Sequence, residues 1–581
     1  MASYDPSLTG NYYILGDSQA EGVHLIEQDR NFTRSMGGLL PEQSEETIAH
    51  IRTALDVACG PGGWVLGMAQ TYRYMHVTGV DISQNMIDYA IIQARASGLD
   101  NVSFQVGNIT QPLNFPDASF DLVNARHIEE VIPAAAFAPL FKEFMRVTRP
   151  GGIIRITGSE WGVTTSFAYE KFMKLLLQAA RRSGLDFSAD GRNLGISPWL
   201  RRFLRDAGCV NIQERASFLD FSVGAEQQQS GYQDLTVAFE LMQPFLTAVG
   251  VTTQQEVARL QQQLSVEMLE ESFHGLVYTL TAWGQKPEGV VSQIAPSIGA
   301  QQSLPLSPAS EGDGTVPRLF HFDLPALKTR AQALSDLADS FVSPLQRVLD
   351  VASGKGEWAT SVGQISPDVE IIGIERDARQ VEHAREQARE RGIANVAFTV
   401  MDPFQRLDFA DNSFDLVNVR YIVGLIPAEA WPGVLREFVR VTRPGGVIQL
   451  TEAELPITNS SALAQLGGLI AQAFFLTRRS FSPEGRLLSI TPVLKQLVQD
   501  AGCQSVQQVV SETNFSSGTP VHREVIQDIV QAYRLVLPFL VNAGVTTQQE
   551  VEQVYQQMLS EIQSDDFGAV AFSLTVLGKK Q

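Results

Sequence analysis

Cysteine is scarce: the 581-residue chain has three, at Cys59, Cys209 and Cys503. None belongs to a CxxC or CxxH pair, so no zinc site is expected and no metal is assigned. A sparse, odd count suits a reducing compartment. No run of about 18 apolar residues occurs, so no transmembrane helix is expected. Basic runs are missing as well. Lys and Arg number 44 against 64 Asp and Glu, a formal charge of -20. Such a chain repels phosphate backbones, so nucleic acid is not an expected partner, and the charge reads as solubility. The start, MASYDPSLTGNYYILGD, has no basic stretch leading into an apolar core. No signal peptide is expected, and the cytoplasm is the default location.

What the chain does have is length and repetition. It is too long for one core, since domains run about 50–250 residues. FDLVN at 120–124 returns at 414–418, RVTRPGG at 146–152 returns at 440–446, and GVTTQQEV at 250–257 returns at 544–551. Every pair is offset by 294 residues, as are LDVACGPGGW at 55–64 and LDVASGKGEW at 349–358. A period that long is a duplicated domain, not a solenoid. Between the copies lies a stretch rich in Pro, Gly, Ser and Gln without apolar periodicity. The expected division is a first domain at 1–286, a linker at 287–316 and a second domain at 317–581.

Within each copy short apolar runs alternate with helical periodicity. In the first, RTALDVA, MHVTGVD, NVSFQVG, SFDLVNA and GIIRITG read as strands, with SQNMIDYAIIQARASG and AAFAPLFKEFMRVT as helices. Alternation of this kind predicts an α/β fold with a parallel sheet covered on both faces. The tail of each copy changes rhythm: a strand, two helical stretches (233–248 and 253–270 in the first), then a last strand. The last two strands are expected to pair with each other at the sheet edge.

A glycine loop between a first strand and a helix lets backbone approach a ligand and offers free helix N–H groups. Asp81 follows at the end of the second strand, 19 residues after Gly62. An acid there accepts from ribose hydroxyls. Its counterpart is Glu375, with the same chemistry and a longer reach. Asn108 and Asp402, after the third strand, are placed to accept from an adenine amino group. A dinucleotide loop wants a third glycine or alanine; Val65 and Ala359 stand there and leave a nicotinamide cofactor open.

DVACGPGG, GVDIS, GN before FPDASFDLVN, and RVTRPGG together resemble the class I S-adenosylmethionine-dependent methyltransferases, in particular the small-molecule type of ubiquinone and menaquinone biosynthesis. The resemblance covers nearly all of both copies. It implies two tandem Rossmann-like seven-stranded domains, each ending in an antiparallel hairpin, with S-adenosylmethionine as cofactor. The first glycine of the family loop is replaced by Ala58 and, in the second copy, Ala352. The cofactor set carried over is Asp56, Ala58, Gly60, Gly62, Asp81, Ile82, Asn108, Ile109 and Asn124. The second copy supplies Asp350, Ala352, Gly354, Gly356, Glu375, Asp402 and Asn418. The segment at 12–42 resembles the family's leading lid over the cofactor, with Tyr13, Glu21 and Gln28 in it; the residues before the second copy match it poorly.

Methyl transfer from a sulfonium asks the protein to bind, align and exclude water. Residues after the fourth strand are expected to line the transfer site: Arg126 and Arg420 are shared, and His127 becomes Tyr421. His127 is the candidate base of the first copy and Tyr421 its counterpart; a merely packed histidine is the competing reading. Glu160 and Glu454, after the fifth strand, either face substrate or cap the next helix. A helical cap insertion places Trp161, Phe167, Tyr169, Phe172 and Trp199 around an apolar pocket or in a core. Pro403 replaces Ile109 and removes a backbone N–H from the adenine side of the second copy. The first copy is thus expected to be the working transferase on a small-molecule acceptor. The second is expected either to work with weaker cofactor affinity or to be a non-catalytic partner, in contact with the first or not. A nicotinamide-dependent oxidoreductase and a scaffold without turnover are the rival classes.

Overall fold

Runs of Val, Ile, Leu and Ala that lack alternation become strands buried on both faces. A computed structural model describes residues 19–289 and 345–581, and these fall into two compact units. In the first, β1 (Thr53–Val57), β2 (His76–Asp81), β3 (Val102–Val106), β4 (Phe120–Arg126) and β5 (Thr148–Ser159) form a parallel sheet in the order β3-β2-β1-β4-β5. Two-residue β6 (Val163–Thr164) follows β5. β7 (Val210–Asp220) and β8 (Gly275–Gln285) complete the sheet, with β8 antiparallel to both β5 and β7. The expected pairing of the last two strands is present, and β7 is the edge. β5 begins at Thr148, four residues before the predicted GIIRITG run, and its pairing with β4 shifts register between Phe120 and Leu122.

The second unit repeats this. β9 (Arg347–Val351), β10 (Glu370–Glu375), β11 (Val396–Val400), β12 (Phe414–Arg420) and β13 (Thr442–Ala453) lie in the order β11-β10-β9-β12-β13. β14 (Ile457–Thr458), β15 (Cys503–Asn514) and β16 (Ala569–Lys580) follow, with β16 between β13 and β15. Tyr13 and most of the expected linker lie outside the described residues. Among the described residues no helix is long and apolar enough to cross a membrane.

The strand order reverses beside β1, so the carboxyl ends of β1 and β4 open a crevice where ligands bind in such sheets. Asp56 on β1 is in register with Asn124 on β4. The loop leaving β1 turns at Gly62, which has φ +84° and caps the helix Gly63–Thr71. A Cβ there would stand 3.0 Å from both Ala90 and Phe104. Gly62→Ala is therefore expected to destabilise the unit by about 1–2 kcal/mol from left-handed backbone strain alone. That is a thermal midpoint lower by about 3–8 °C; an unchanged midpoint would refute the packing argument.

The cap is the predicted one, with the first tail helix longer: Gln228–Ala248, followed by Gln254–Glu267. Thr253 caps the latter by accepting from Glu256 N. With the helix Phe167–Arg182 they enclose a core in which Phe172 stacks on Phe239. Phe172 and Tyr169 are buried in that core and do not line the cavity described next.

Candidate active site

At the carboxyl ends of β1 and β4 lies a cavity of about 160 Å³. Its floor is Asp56, Ala58, Gly60 and the loop between them. One wall is Asp81, Ile82, Asn108 and Ile109, and the far end is Arg126, His127 and Glu130. Leu25, Gln28, Asp29 and Phe32, from the leading helix Gln19–Met36, roof it. Gln28, expected in a lid segment, lines the cavity, whereas the side chain of Glu21 is outside the described residues. Gly62 and Asn124 support the floor from behind. Among the described residues no group of His, Cys, Asp and Glu could hold a metal ion.

Asp81 accepts from Gly60 N at 2.8 Å and Ser83 N at 2.9 Å, so one carboxylate ties the loop to the helix that follows β2. Asp56 is almost wholly enclosed and accepts from Asn124 Nδ2 at 2.7 Å. Burial pushes its carboxyl up to about 7, against the opposing pull of Arg126 and of the Asn124 hydrogen bond. Ala58 takes φ +57° and Ala352 φ +52°. This is the left-handed conformation that explains why glycine is usual there. Asn108 Oδ1 accepts from Thr110 N and Oγ1, at 2.9 and 2.8 Å. Its carbonyl is therefore committed to a turn, contrary to the expectation that it would accept from an adenine amine.

Arg126 pairs with Asp29 and donates to Thr33 Oγ1 at 3.2 Å, fastening the leading helix to the end of β4. Gly63 makes room for Asp29, whose carboxylate a Cβ there would overlap. His127 has φ +53° and lies 4.5 Å from the Phe32 ring. Among the described residues neither of its ring nitrogens has a hydrogen bond, and the Glu129 carboxylate lies 3.7 Å from Nδ1. Glu130 accepts from Trp161 Nε1 at 2.7 Å. Its carboxyl is pushed up by burial and by neighbouring Glu129.

Four expected lining residues, Glu160, Glu454, Trp161 and Trp199, are elsewhere. Glu160 accepts from Gly195 N, Ser197 N and Ser197 Oγ at 2.8–2.9 Å, and Glu454 accepts from Ser489 N, Thr491 N and Thr491 Oγ1 at 3.0–3.1 Å. Both are staples for the segment entering the next helix. Burial raises both carboxyls, Glu160 to about 7. Trp199 stacks near Phe203 and Phe187, away from the cavity, and Trp161 acts through Glu130.

The second unit keeps the same floor. Asn418 Nδ2 donates to Asp350 at 2.7 Å, and Glu375 accepts from Gly354 N at 3.1 Å. Asp402 is exposed and accepts from Phe404 N. The far end differs. Tyr421 is buried with its hydroxyl 3.4 Å from Ser573 Oγ. Gly424 stands where Glu130 does, and a Cβ on it would overlap the fully buried Phe474 ring. Arg420 lies over Trp358 as Arg126 lies over Trp64. A buried carboxylate still ties the fourth and fifth strands, but from the opposite side. Glu129 accepts from Ser159 N at 2.8 Å in the first unit; Glu452 accepts from Ile422 N at 2.7 Å in the second.

Comparison with known proteins agrees with the duplication. A family described as "Methyltransferase domain" matches residues 54–152 and again 348–446. The chain is 37% identical over 157 residues to phosphoethanolamine N-methyltransferase 1 of Arabidopsis thaliana, covering 25% of this chain and 30% of that protein. It is 32% identical over 112 residues to a demethylmenaquinone methyltransferase of Geobacillus kaustophilus, covering 19% of this chain and 47% of that protein. A ubiquinone/menaquinone biosynthesis C-methyltransferase of Yersinia enterocolitica is 24% identical over 233 residues, 38% of this chain and 86% of that protein. The chain thus spans less than half the length of the first two relatives.

Proposed function

We propose that the chain is a tandem pair of class I S-adenosylmethionine-dependent methyltransferase domains, the first of which methylates a small-molecule acceptor inside the cavity roofed by the helix Gln19–Met36. The observation that carries this is the cavity itself. It joins a floor suited to the cofactor to a polar end suited to an acceptor. S-adenosylmethionine supplies a methyl group on a sulfonium, ready for in-line displacement. The residues present fit it: bare backbone at Gly60, carboxylates at Asp56 and Asp81 for an ammonium and ribose hydroxyls, Ile82 and Met86 for a flat ring, and the Ile109 N–H at its edge.

The chain's own contribution is alignment and exclusion of water, a part that is worth about 7–11 kcal/mol in well-oriented systems. His127, whose ring nitrogens have no hydrogen bond among the described residues, accepts the proton that an acceptor hydroxyl or amine gives up. Among the described residues the lining carries Asp29, Asp56, Asp81 and Glu130 against Arg126 alone among arginines and lysines. Such a field favours a cationic cofactor and an uncharged or cationic acceptor over a carboxylate or phosphate.

The second unit, in this reading, does not transfer. Phe474 fills the place that Glu130 occupies in the first, and Pro403 offers no N–H beside Asp402. We assign residues 1–286 to the first domain, 287–316 to the linker and 317–581 to the second, with cytoplasmic location inferred from cysteine usage.

Incubating the full chain with methyl-labelled cofactor and a metabolite extract tests the reading. Label is expected in a small uncharged or cationic product, with Asp81→Ala reducing transfer at least tenfold. Undiminished transfer by that variant would move the activity away from the first unit.

A further inference from the structure

A cationic side chain lies sealed inside the first sheet, behind the cavity and not in its lining. Arg155, in the middle of β5, is 0% exposed. Its Nε donates to Glu42 Oε1 at 2.7 Å, and one terminal nitrogen donates to Glu42 Oε2 at 3.4 Å. The other terminal nitrogen donates to Asn124 Oδ1 at 2.8 Å. Asn124 Nδ2 in turn donates to Asp56 Oδ1 at 2.7 Å. Glu42, Arg155, Asn124 and Asp56 thus form one continuous chain from the segment after the leading helix to the cavity floor.

Stability alone does not call for this arrangement, since apolar residues of similar volume replace buried ion pairs at no loss. What the pair does supply is direction. A guanidinium can only donate. It therefore holds the Asn124 carbonyl toward itself and the amide N–H₂ toward Asp56. A carboxylate that receives such a hydrogen bond is favoured in its charged form. The second unit provides the comparison. Gln449 stands in place of Arg155, and its Nε2 donates to Asn418 Oδ1 at 3.1 Å. The link through the asparagine to the aspartate is the same, but the charge is gone, and an amide can turn either end toward its neighbour.

We propose that Arg155, held by Glu42, is a positioning residue of the cofactor site: acting through Asn124, it favours the charged form of Asp56 and aims that side chain into the cavity to receive the cationic ligand. The proposal rests on the cavity being the S-adenosylmethionine site. The other groups that face Asp56 are Arg126, which draws it toward the charged form, and Asp29, which opposes that. The Cys59 thiol, itself raised by burial and by Asp81 and Asp56, also lies against it.

The test is calorimetry of the full chain with S-adenosylhomocysteine from pH 6 to 9, together with the thermal midpoint without ligand. Wild-type affinity is expected to rise as pH passes through about 7, where Asp56 ionises. Arg155→Gln is expected to weaken binding at least tenfold at pH 7 and to move the half-effect upward by about one pH unit or more, so that the deficit shrinks at pH 9. Arg155→Lys keeps the charge and most of the affinity. Glu42→Gln with Arg155→Gln removes both charges; it is expected to restore the thermal midpoint without restoring the pH profile. Wild-type affinity and profile in the double variant would overturn the proposal, as would a deficit equal at every pH, which marks a purely structural role. Absence of binding by the wild-type chain, or binding that survives Asp81→Ala, would instead overturn the assignment of the cavity and the proposal with it.

Discussion

Asp56→Asn is expected to make the first unit more stable at pH 8 and unable to hold the cofactor. The carboxyl is pushed up to about 7 in the folded chain from an ordinary 3.8, chiefly by burial. Between about pH 4 and 7 the unfolded chain has released this proton while the folded one retains it. Stability on this group's account therefore falls as pH rises through that window, and the loss is complete above pH 7. A tenfold change in a proton's binding constant corresponds to about 1.4 kcal/mol. Asparagine carries no charge to bury and still presents an oxygen to Asn124 Nδ2. Discounting for relaxation and water penetration around the buried charge, the gain at pH 8 is about 2–3 kcal/mol, and it vanishes near pH 4. Glu160, also near 7, pushes the whole chain the same way, so the difference between wild type and variant isolates Asp56. Urea denaturation at the two pH values measures it, and calorimetry with S-adenosylhomocysteine should show affinity reduced at least 100-fold. A variant less stable than wild type at pH 8 would mean that the buried charge is more than compensated by its neighbours.

The parts of this site that were legible in the sequence are those where one residue does one local job. The glycine loop, Asp81 at the end of β2 and His127 after β4 follow from chain order, because a strand end and a turn place a side chain with little help from the rest of the fold. The duplication itself was visible as a constant offset. Asp29 was not, since it sits on an amphipathic helix where an acid at that spacing reads as solvent-facing, and only packing against Gly63 and Arg126 reveals its use. Arg155 did leave a signal. An arginine inside the apolar run GIIRITG must find a buried partner, but no rule of spacing points to Glu42, 113 residues earlier. Glu160 and Glu454 could not be placed because a glutamate after a strand serves a pocket or a helix start equally well. Three hydrogen bonds to the following segment settle it as the second. Phe474 is the reverse case: it reads as one more apolar residue in an apolar helix until Gly424 is seen beneath its ring.

Arg126→Ala is expected to have the widest effect of any single substitution in the first unit, because one side chain serves three neighbours. It pairs with Asp29, donates to Thr33, and is the charge that most strongly favours ionised Asp56. Removing it leaves Asp29, only 18% exposed, without its cation, and lets the Asp56 carboxyl rise above 7. Breaking a buried pair by deleting one partner costs about 3–5 kcal/mol; the partial exposure of both groups brings the expected loss to about 2–4 kcal/mol. Much of that cost is local, since Asp29 can reach water if the leading helix lifts. Hydrogen exchange across residues 24–36 should therefore accelerate far more than exchange in β1 and β4, and S-adenosylhomocysteine affinity at pH 7 should fall at least 100-fold. Arg126→Lys should not rescue it, because a point ammonium cannot span Asp29 and Thr33 as the planar guanidinium does. Adding Asp29→Asn to Arg126→Ala removes the stranded charge and should recover stability but not affinity. Slow exchange in the leading helix together with near-native affinity in Arg126→Ala would show that the helix is held by its apolar contacts alone and that Asp56 does not depend on this cation.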